Sequence, residues 1–110
     1  MILKSYMCKG KRVLFTENYV LLDIYRKLPP EECTKLSETL LESEKVKVLL
    51  DRRGEYAIKV LFTPAGCEEF YALLPRQGEP SPERAKEVLK KAYLDLYGID
   101  LGDVECVEES

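Results

Sequence analysis

The tetrapeptide Val-Leu-Phe-Thr occurs twice in this chain, at Val13–Thr16 and at Val60–Thr63. Each copy is followed by a Leu-Pro pair, beginning at Leu28 and at Leu74, and then by acidic residues that suit the start of a helix. Because self-similarity indicates architecture, the repeat predicts two strand-rich units that each end in a helix. The other interpretation is two unrelated antiparallel strands of similar composition. A chain of 110 residues can bury one core, so we expect a single domain over 1–110.

Tight-turn residues and alternating apolar residues determine the predicted secondary structure. Lys9-Gly10 and Gly54 mark hairpins, and Ser81 begins a helix that Gly98 ends. The predicted strands are Ile2–Cys8, Lys11–Thr16, Tyr19–Lys27, Lys45–Asp51, Glu55–Thr63 and Glu68–Leu74, with a last short strand within Ile99–Val107. The predicted helices span 30–43 and 82–97.

This succession of elements predicts an α+β fold. Strands joined by tight turns are antiparallel neighbours. The order βββα-βββα, with an optional C-terminal strand, therefore predicts a two-layer domain in which both helices cover one face of an antiparallel sheet. The alternative is a ferredoxin-like βαββαβ core, to which the N-terminal hairpin is an addition. That core would use Tyr19–Lys27, helix 30–43, the hairpin 45–63, helix 82–97 and strand 103–107.

The alternation of residues assigns side chains to two faces of this sheet. The residues predicted to lie under the helices are Val20, Leu22, Ile24, Val46, Val48, Leu50, Tyr56, Ile58, Val60, Phe62, Phe70, Ala72 and Leu74. The opposite face is predicted to carry an interaction surface made of Tyr19, Leu21, Tyr25, Leu49, Leu61, Tyr71 and Leu73. This second face is too apolar for one that faces water, so we expect a partner to cover it. A register error of one residue would exchange the faces and place these residues in one core.

Two kinds of partner fit the predicted second face. The first is another copy of the chain, which would make a homodimer through the face or an edge of the sheet. The second is single-stranded nucleic acid, such as RNA, with tyrosine rings stacked on bases and lysines near phosphates. The candidate cations are Lys45, Lys47 and Lys59 on the face, and Lys9, Lys11, Arg12, Arg52 and Arg53 at hairpin tips. The net charge of −3 disfavours nucleic acid, which is therefore the alternative to the homodimer.

Charge is distributed unevenly between the two ends of the chain. Residues 1–16 carry four cations and no acid, whereas residues 99–110 carry five acids and no base. We expect the acidic segment 99–110 to be frayed and both ends to be solvated, with contact between the two ends as the alternative.

The four cysteines are Cys8, Cys33, Cys67 and Cys106, and no two of them form a Cys-x-x-Cys pair. The spacing therefore predicts no metal site. Cysteines that stay reduced and a disulfide are both compatible with the sequence, and Cys8–Cys106 is the expected pair because both lie near chain ends. The composition, rich in Glu, Lys, Val and Leu with one Asn and one Gln, is typical of thermophilic proteins, in which intracellular disulfides occur.

Catalysis is not expected from the residues that are present. The chain has no histidine, which excludes Ser–His and Cys–His nucleophile pairs within one copy. Cys8, which lies among cations, is the best candidate for a thiolate, but no base partner can be named for it. No apolar stretch is long enough to span a membrane, and no signal peptide is recognised, so we expect a cytoplasmic protein. The predicted function is a small protein-interaction module, without a cofactor, that self-associates.

Overall fold

The structure, a computed structural model, describes residues 1–38 and 47–109. It has an α+β fold with a seven-stranded antiparallel sheet and two helices, which confirms the predicted class. The strands are β1 (Ile2–Cys8), β2 (Lys11–Thr16), β3 (Tyr19–Lys27), β4 (Lys47–Arg53), β5 (Tyr56–Thr63), β6 (Gly66–Pro75) and β7 (Cys106–Glu108). The helices are α1 (Pro30–Ser37) and α2 (Pro82–Tyr97).

The order of the strands in the sheet is β4-β5-β6-β3-β2-β1-β7. The ferredoxin-like alternative is wrong, because it needs β7 in the core beside β3, and β7 instead pairs with β1 at the edge of the sheet. The placement of both helices on one face of the sheet stays a prediction. By contacts the chain forms two compact units, which we call unit 1 (Met1–Asp23 with Leu73–Ser110) and unit 2 (Ile24–Ala72).

In unit 1 the first hairpin is built on Lys9 and Gly10, whose φ angles are +51° and +78°. Positive φ at both central residues is what a two-residue hairpin turn of the favoured type requires, and glycine adopts it without steric cost. Cys8 pairs directly with Lys11 across this turn, and Tyr6 with Val13. The buried strand residues of unit 1 are Tyr6, Cys8, Val13, Phe15, Val20, Leu22 and Leu74.

Helix α2 packs against β1 and β7 within the same unit. It starts where the sequence predicts, because the Ser81 hydroxyl accepts a hydrogen bond from the Arg84 N–H at 3.0 Å. It ends at Gly98, which has a φ of +67°. The helix buries one stripe of side chains at helical spacing, made of Ala85, Val88, Leu89, Ala92 and Tyr93.

In unit 2 the turn of the β4–β5 hairpin is one residue shorter than predicted. The predicted strands Lys45–Asp51 and Glu55–Thr63 leave a turn of three residues, 52–54. The turn has two residues, Gly54 and Glu55, so that Arg53 pairs with Tyr56 and Leu49 with Val60. Residues that lie opposite each other in antiparallel strands share a face. The predicted faces of β4 are therefore exchanged, and Leu49 lies on the buried side of the hairpin while Leu50 is 66% exposed.

Along strand β6 the alternation of buried and less buried residues shifts by one residue partway along the strand. Cys67 and Glu69 are buried, and so are Ala72 and Leu74, which leaves two residues between the two buried pairs. Phe70, predicted to lie under the helices, is half-buried, and its ring lies 5.6 Å from that of the exposed Tyr25.

Helix α1 has little contact with the core, since none of its residues is buried. The sequence predicts that the helix extends to residue 43 and that Val46 lies in the core, but both positions lie outside the described residues. A disulfide between Cys33 on the helix and Cys67 at the start of β6 attaches α1 to the sheet of unit 2.

Candidate interaction surface

Three aromatic side chains of unit 2 lie together and form what we call the aromatic surface: Tyr25, Phe70 and Tyr71. The ring of Phe70 lies 5.6 Å from that of Tyr25 and 6.3 Å from that of Tyr71. Tyr25 is 58% exposed and Tyr71 is 38% exposed. Aromatic rings give much contact area for little loss of conformational entropy, so this arrangement suits binding.

Polar contacts hold the two tyrosines of the aromatic surface in place. The Tyr25 hydroxyl donates a hydrogen bond to Glu68 Oε1 at 3.1 Å, and this bond raises the pKa of Tyr25. The Lys59 ammonium lies 5.5 Å from the centre of the Tyr71 ring, within the range of a cation–π interaction. The surface therefore combines fixed rings with one nearby cation.

Strand β4 forms the outer edge of the sheet beside this surface. Its register with β5 is regular over Lys47–Arg53, and among the described residues no strand pairs with its other side. Val48 is 38% exposed and Leu50 is 66% exposed. Val48 lies opposite Leu61, and Leu50 lies opposite Lys59, so both share a face with the residue that contacts Tyr71.

The other residues of the predicted interaction surface are distributed unevenly. Leu61 is half-buried opposite Val48, whereas Leu49 belongs to the opposite face, as described above. In unit 1, Tyr19 is 48% exposed, and Leu21 and Leu73 are half-buried, with Leu21 lying opposite Leu14. The binding role of the predicted surface stays a prediction.

The cations predicted at the first hairpin tip contact other parts of unit 1. Lys9 Nζ donates to the Leu101 carbonyl at 3.4 Å, and Lys11 Nζ lies 5.3 Å from the centre of the Tyr93 ring. Arg12 Nε bonds Glu109. These contacts compete with any external phosphate.

The predicted cations of unit 2 have different surroundings. Arg52 is exposed opposite Ala57, whereas Arg53 bonds Asp51 and Glu69 within the protein. Lys45 lies outside the described residues, and Lys47 begins β4.

The two oppositely charged ends of the chain meet, contrary to the expectation that both are merely solvated. Lys4 Nζ lies 3.1 Å from Glu108, and Arg12 Nε lies 3.0 Å from Glu109. Glu109 also accepts a bond from the Ser5 hydroxyl at 2.8 Å. The bonds from Arg12 and then Ser5 lower the pKa of the Glu109 carboxyl, although desolvation opposes them. The predicted fraying therefore does not apply to Cys106–Glu108, which is a strand.

A groove of about 540 Å³ opens beside these ion pairs in unit 1. Its lining combines the aliphatic side chains of Ile2, Leu3 and Leu14 with those of the paired charged residues. The opposite charges balance locally, so the groove selects no particular ionic ligand.

Both pairs of cysteines form disulfides. The expected bond Cys8–Cys106 is confirmed and joins β1 to β7 across a sequence separation of 98 residues. The sequence did not single out the second bond, Cys33–Cys67, because only the fold brings helix α1 to the start of β6. With its sulfur bonded, Cys8 is not available as a thiolate nucleophile in this structure.

The residue that sequence reasoning missed is Glu69, whose side chain is fully buried in unit 2. Arg53 donates a hydrogen bond to its carboxylate, and Arg26 lies 3.6 Å from the same oxygen. Burial alone lowers the pKa of Arg53, but its bonds to Glu69 and Asp51 outweigh burial, so that the pKa is raised. A two-residue turn at Gly54 would have placed Arg53 on the buried face, opposite Tyr56, but it would not have identified Glu69 as the partner of Arg53.

Among the described residues, no helix is long and apolar enough to cross a membrane. The chain matches no protein-family model, no curated protein and no solved structure.

Proposed function

We propose that the protein is a small interaction module that self-associates through the sheet of unit 2. The observation that carries the proposal is the exposure of Leu50, 66%, on the outermost strand and beside the aromatic surface. Exposed apolar residues that adjoin one another on a strand at the edge of a sheet are typical of an association site. We also propose that both helices cover one face of the sheet. The opposite face, with the aromatic surface, would then be open to the partner.

Sedimentation equilibrium of the oxidised protein from about 1 μM to about 1 mM tests self-association. Each copy would remove the side chains of Val48 and Leu50 from water, and a buried leucine contributes about 1.5–3 kcal/mol. We therefore expect a reversible dimer whose fraction grows with concentration. A monomer over the whole range would contradict the proposal.

Single-stranded RNA is the second candidate partner, and the position of Lys59 next to Tyr71 favours it. A base could stack on the exposed tyrosines while the ammonium meets a phosphate. Fluorescence anisotropy with a labelled uridine oligonucleotide at about 50 mM salt tests this candidate. Binding that Tyr71→Ala abolishes, and that Tyr97→Ala on helix α2 leaves unchanged, would support it. The absence of binding at this salt concentration would dispose of it.

For the location we propose the cytoplasm of a cell in which intracellular disulfides persist, as in hyperthermophiles. An oxidising compartment is the competing proposal, since Cys8–Cys106 and Cys33–Cys67 are both oxidised. Fractionation of the source cells, with alkylation of free thiols during lysis, distinguishes them. Recovery of the oxidised protein only outside the cytoplasm would overturn the first proposal.

A further inference from the structure

The disulfide of unit 1 joins two strands that other contacts also hold together. Cys8 on β1 and Cys106 on β7 lie directly opposite each other in the sheet. The Glu109 N–H, just beyond β7, donates to the Ser5 carbonyl oxygen at 2.8 Å. The ion pairs of Glu108 and Glu109 attach the same segment to β1 and β2. If the disulfide is broken, these contacts therefore keep the two thiols close together.

The disulfide of unit 2, Cys33–Cys67, joins a helix to a strand with few other contacts between them. The described part of α1, Pro30–Ser37, buries no side chain, and no side chain caps its N-terminus. Eight residues are too few for a helix to stay formed by itself in water. The ion pair between Arg26 and Glu32 lies on the surface, so it contributes little. If this disulfide is broken, α1 can therefore leave the sheet, and the two thiols separate.

The distance between the two thiols after reduction determines how easily each bond is reduced. Two thiols that the fold keeps together have a high effective concentration toward each other, which favours the oxidised form. Two thiols whose segments come apart gain conformational freedom, which favours the reduced form. The first case describes Cys8–Cys106, and the second describes Cys33–Cys67.

We infer that Cys33–Cys67 is a redox switch, which a dithiol reductant opens in preference to Cys8–Cys106, and that its reduction releases α1 from the sheet of unit 2. Cys33 Sγ lies 3.8 Å from the carbonyl oxygen of the buried Leu28 and 4.0 Å from that of the buried Cys67. Release of the helix therefore exposes the start of β6 and two free thiols. The inference goes beyond the proposed self-association and does not depend on it.

The exposure of the two sulfur-bearing residues indicates where reduction begins. Cys33 is half-buried and Cys67 is fully buried, so a thiolate of the reductant attacks Cys33 Sγ. A mixed disulfide forms at Cys33, and the bond to Cys67 breaks and leaves a thiolate that takes a proton from water. The second thiolate of the reductant then displaces Cys33, which is protonated in turn. Two electrons pass to the protein, and the reductant becomes a cyclic disulfide.

A redox titration of the wild-type protein tests the order of reduction. The protein is equilibrated in mixtures of reduced and oxidised dithiothreitol, free thiols are alkylated, and tryptic peptides are analysed by mass spectrometry. The four cysteines fall on four different tryptic peptides, so both bonds are followed together. Because a helix detached for about nine-tenths of the time favours reduction about 10-fold, we expect Cys33–Cys67 to be half-reduced at a ratio of reduced to oxidised reagent about 10-fold lower. Equal ratios, or earlier reduction of Cys8–Cys106, would overturn the inference.

Hydrogen exchange tests whether reduction releases α1. The double variant Cys8→Ser/Cys106→Ser retains Cys33–Cys67, and we expect dithiothreitol to remove the protection of residues 30–37 in it. In the matched double variant Cys33→Ser/Cys67→Ser, α1 is already released, so the reagent should leave exchange over these residues unchanged. The same measurement on the wild type, at a ratio that reduces one bond alone, does not require either variant to fold. Protection of residues 30–37 that persists after Cys33–Cys67 is reduced would overturn the switch.

Discussion

At the scale of single residues, a buried carboxylate is the feature that most distinguishes unit 2. Glu69 is fully buried on β6 and lies between Arg53 and Arg26, which also pairs with Glu32 at 2.7 Å. An ionised group in the core is tolerated only when opposite charges and hydrogen bonds replace the lost water. The contacts of Glu69 therefore specify how the ends of β3 and β4 meet β6.

Glu69→Ala should reduce the free energy of unfolding by about 1–3 kcal/mol, because it removes the buried hydrogen-bond acceptor of the partly buried Arg53 guanidinium, with which Asp51 still pairs. Glu68→Ala is the matched control on the neighbouring residue. Glu68 bonds the exposed Tyr25, so we expect its loss to cost less than about 1 kcal/mol. Urea unfolding followed by circular dichroism measures both variants, and equal losses would contradict the role given to Glu69.

The pairing of Glu109 with Arg12 predicts a dependence of stability on pH. Because folding lowers the pKa of this carboxyl, its contribution is present above the pKa of the unfolded chain and is lost as pH falls through the folded value. We expect Glu109→Gln to be less stable than the wild type at pH 7, with the difference disappearing toward pH 2. Urea midpoints measured across this range give the comparison. A difference in stability that stays constant with pH would show that the charge of the Glu109 carboxylate is not involved. The control variant is Glu105→Gln, because Glu105 is exposed.

At the scale of elements, helix α1 depends on its disulfide more than on packing. The helix has eight residues, none of them buried, and no side chain caps its N-terminus. Isolated helices of this length are unstable in water, so an external attachment is needed to keep the helix formed. Cys33–Cys67 supplies that attachment, with the surface pair Arg26–Glu32 as a minor addition.

Replacing Cys33 and Cys67 by serine should release α1 while the sheet stays folded. We expect hydrogen exchange to accelerate over residues 30–37 and to change little in α2. The matched pair Cys8→Ser and Cys106→Ser should instead accelerate exchange in β7. The bond Cys8–Cys106 closes a loop of 98 residues, and the bond Cys33–Cys67 closes a loop of 34. Because the longer loop loses more entropy in the unfolded chain, we expect the first bond to add about 5 kcal/mol to the free energy of unfolding and the second about 4 kcal/mol. Unchanged exchange in α1 after loss of Cys33–Cys67 would show that packing alone holds the helix.

At the scale of the whole molecule, surface ion pairs and exposed apolar side chains differ in what they contribute to stability. The ends of unit 1 pair Lys4 with Glu108 and Arg12 with Glu109, while unit 2 exposes Leu50 at its edge strand. Surface ion pairs of this kind contribute little to stability, whereas apolar area removed from water contributes in proportion to its size. Association through β4 would therefore stabilise the folded chain.

If the dimer forms as proposed, thermal stability should depend on protein concentration. Mass action stabilises any folded state that binds a second copy, so the Tm of the wild type should rise between about 1 μM and about 100 μM. Differential scanning calorimetry or fluorimetry of the oxidised protein measures this rise. The Tm of Leu50→Lys should not change over the same range. A wild-type Tm that is independent of concentration would contradict association in that range.

Local residue chemistry determined the parts of the fold that depend on few neighbours. Lys9-Gly10 specifies the first hairpin, and Ser81 and Gly98 specify the ends of α2, because turns and caps are formed by residues close in sequence. The predicted bounds of β1, β2, β3 and α2 are accordingly those of the structure. The pair Cys8–Cys106 was also predictable, since both residues lie near chain ends.

The tertiary structure decided which face each strand presents and which distant residues meet. The turn at Gly54 has two residues and not three. Because side chains alternate between the two faces of a strand, this difference of one residue places Leu49 on the buried side and Leu50 at the surface. The partners of Glu69 and the bond Cys33–Cys67 join segments far apart in sequence, and their meeting depends on packing that no local pattern encodes. The candidate surface was therefore predictable as an apolar face with exposed tyrosines, but its edge at Leu50 was not.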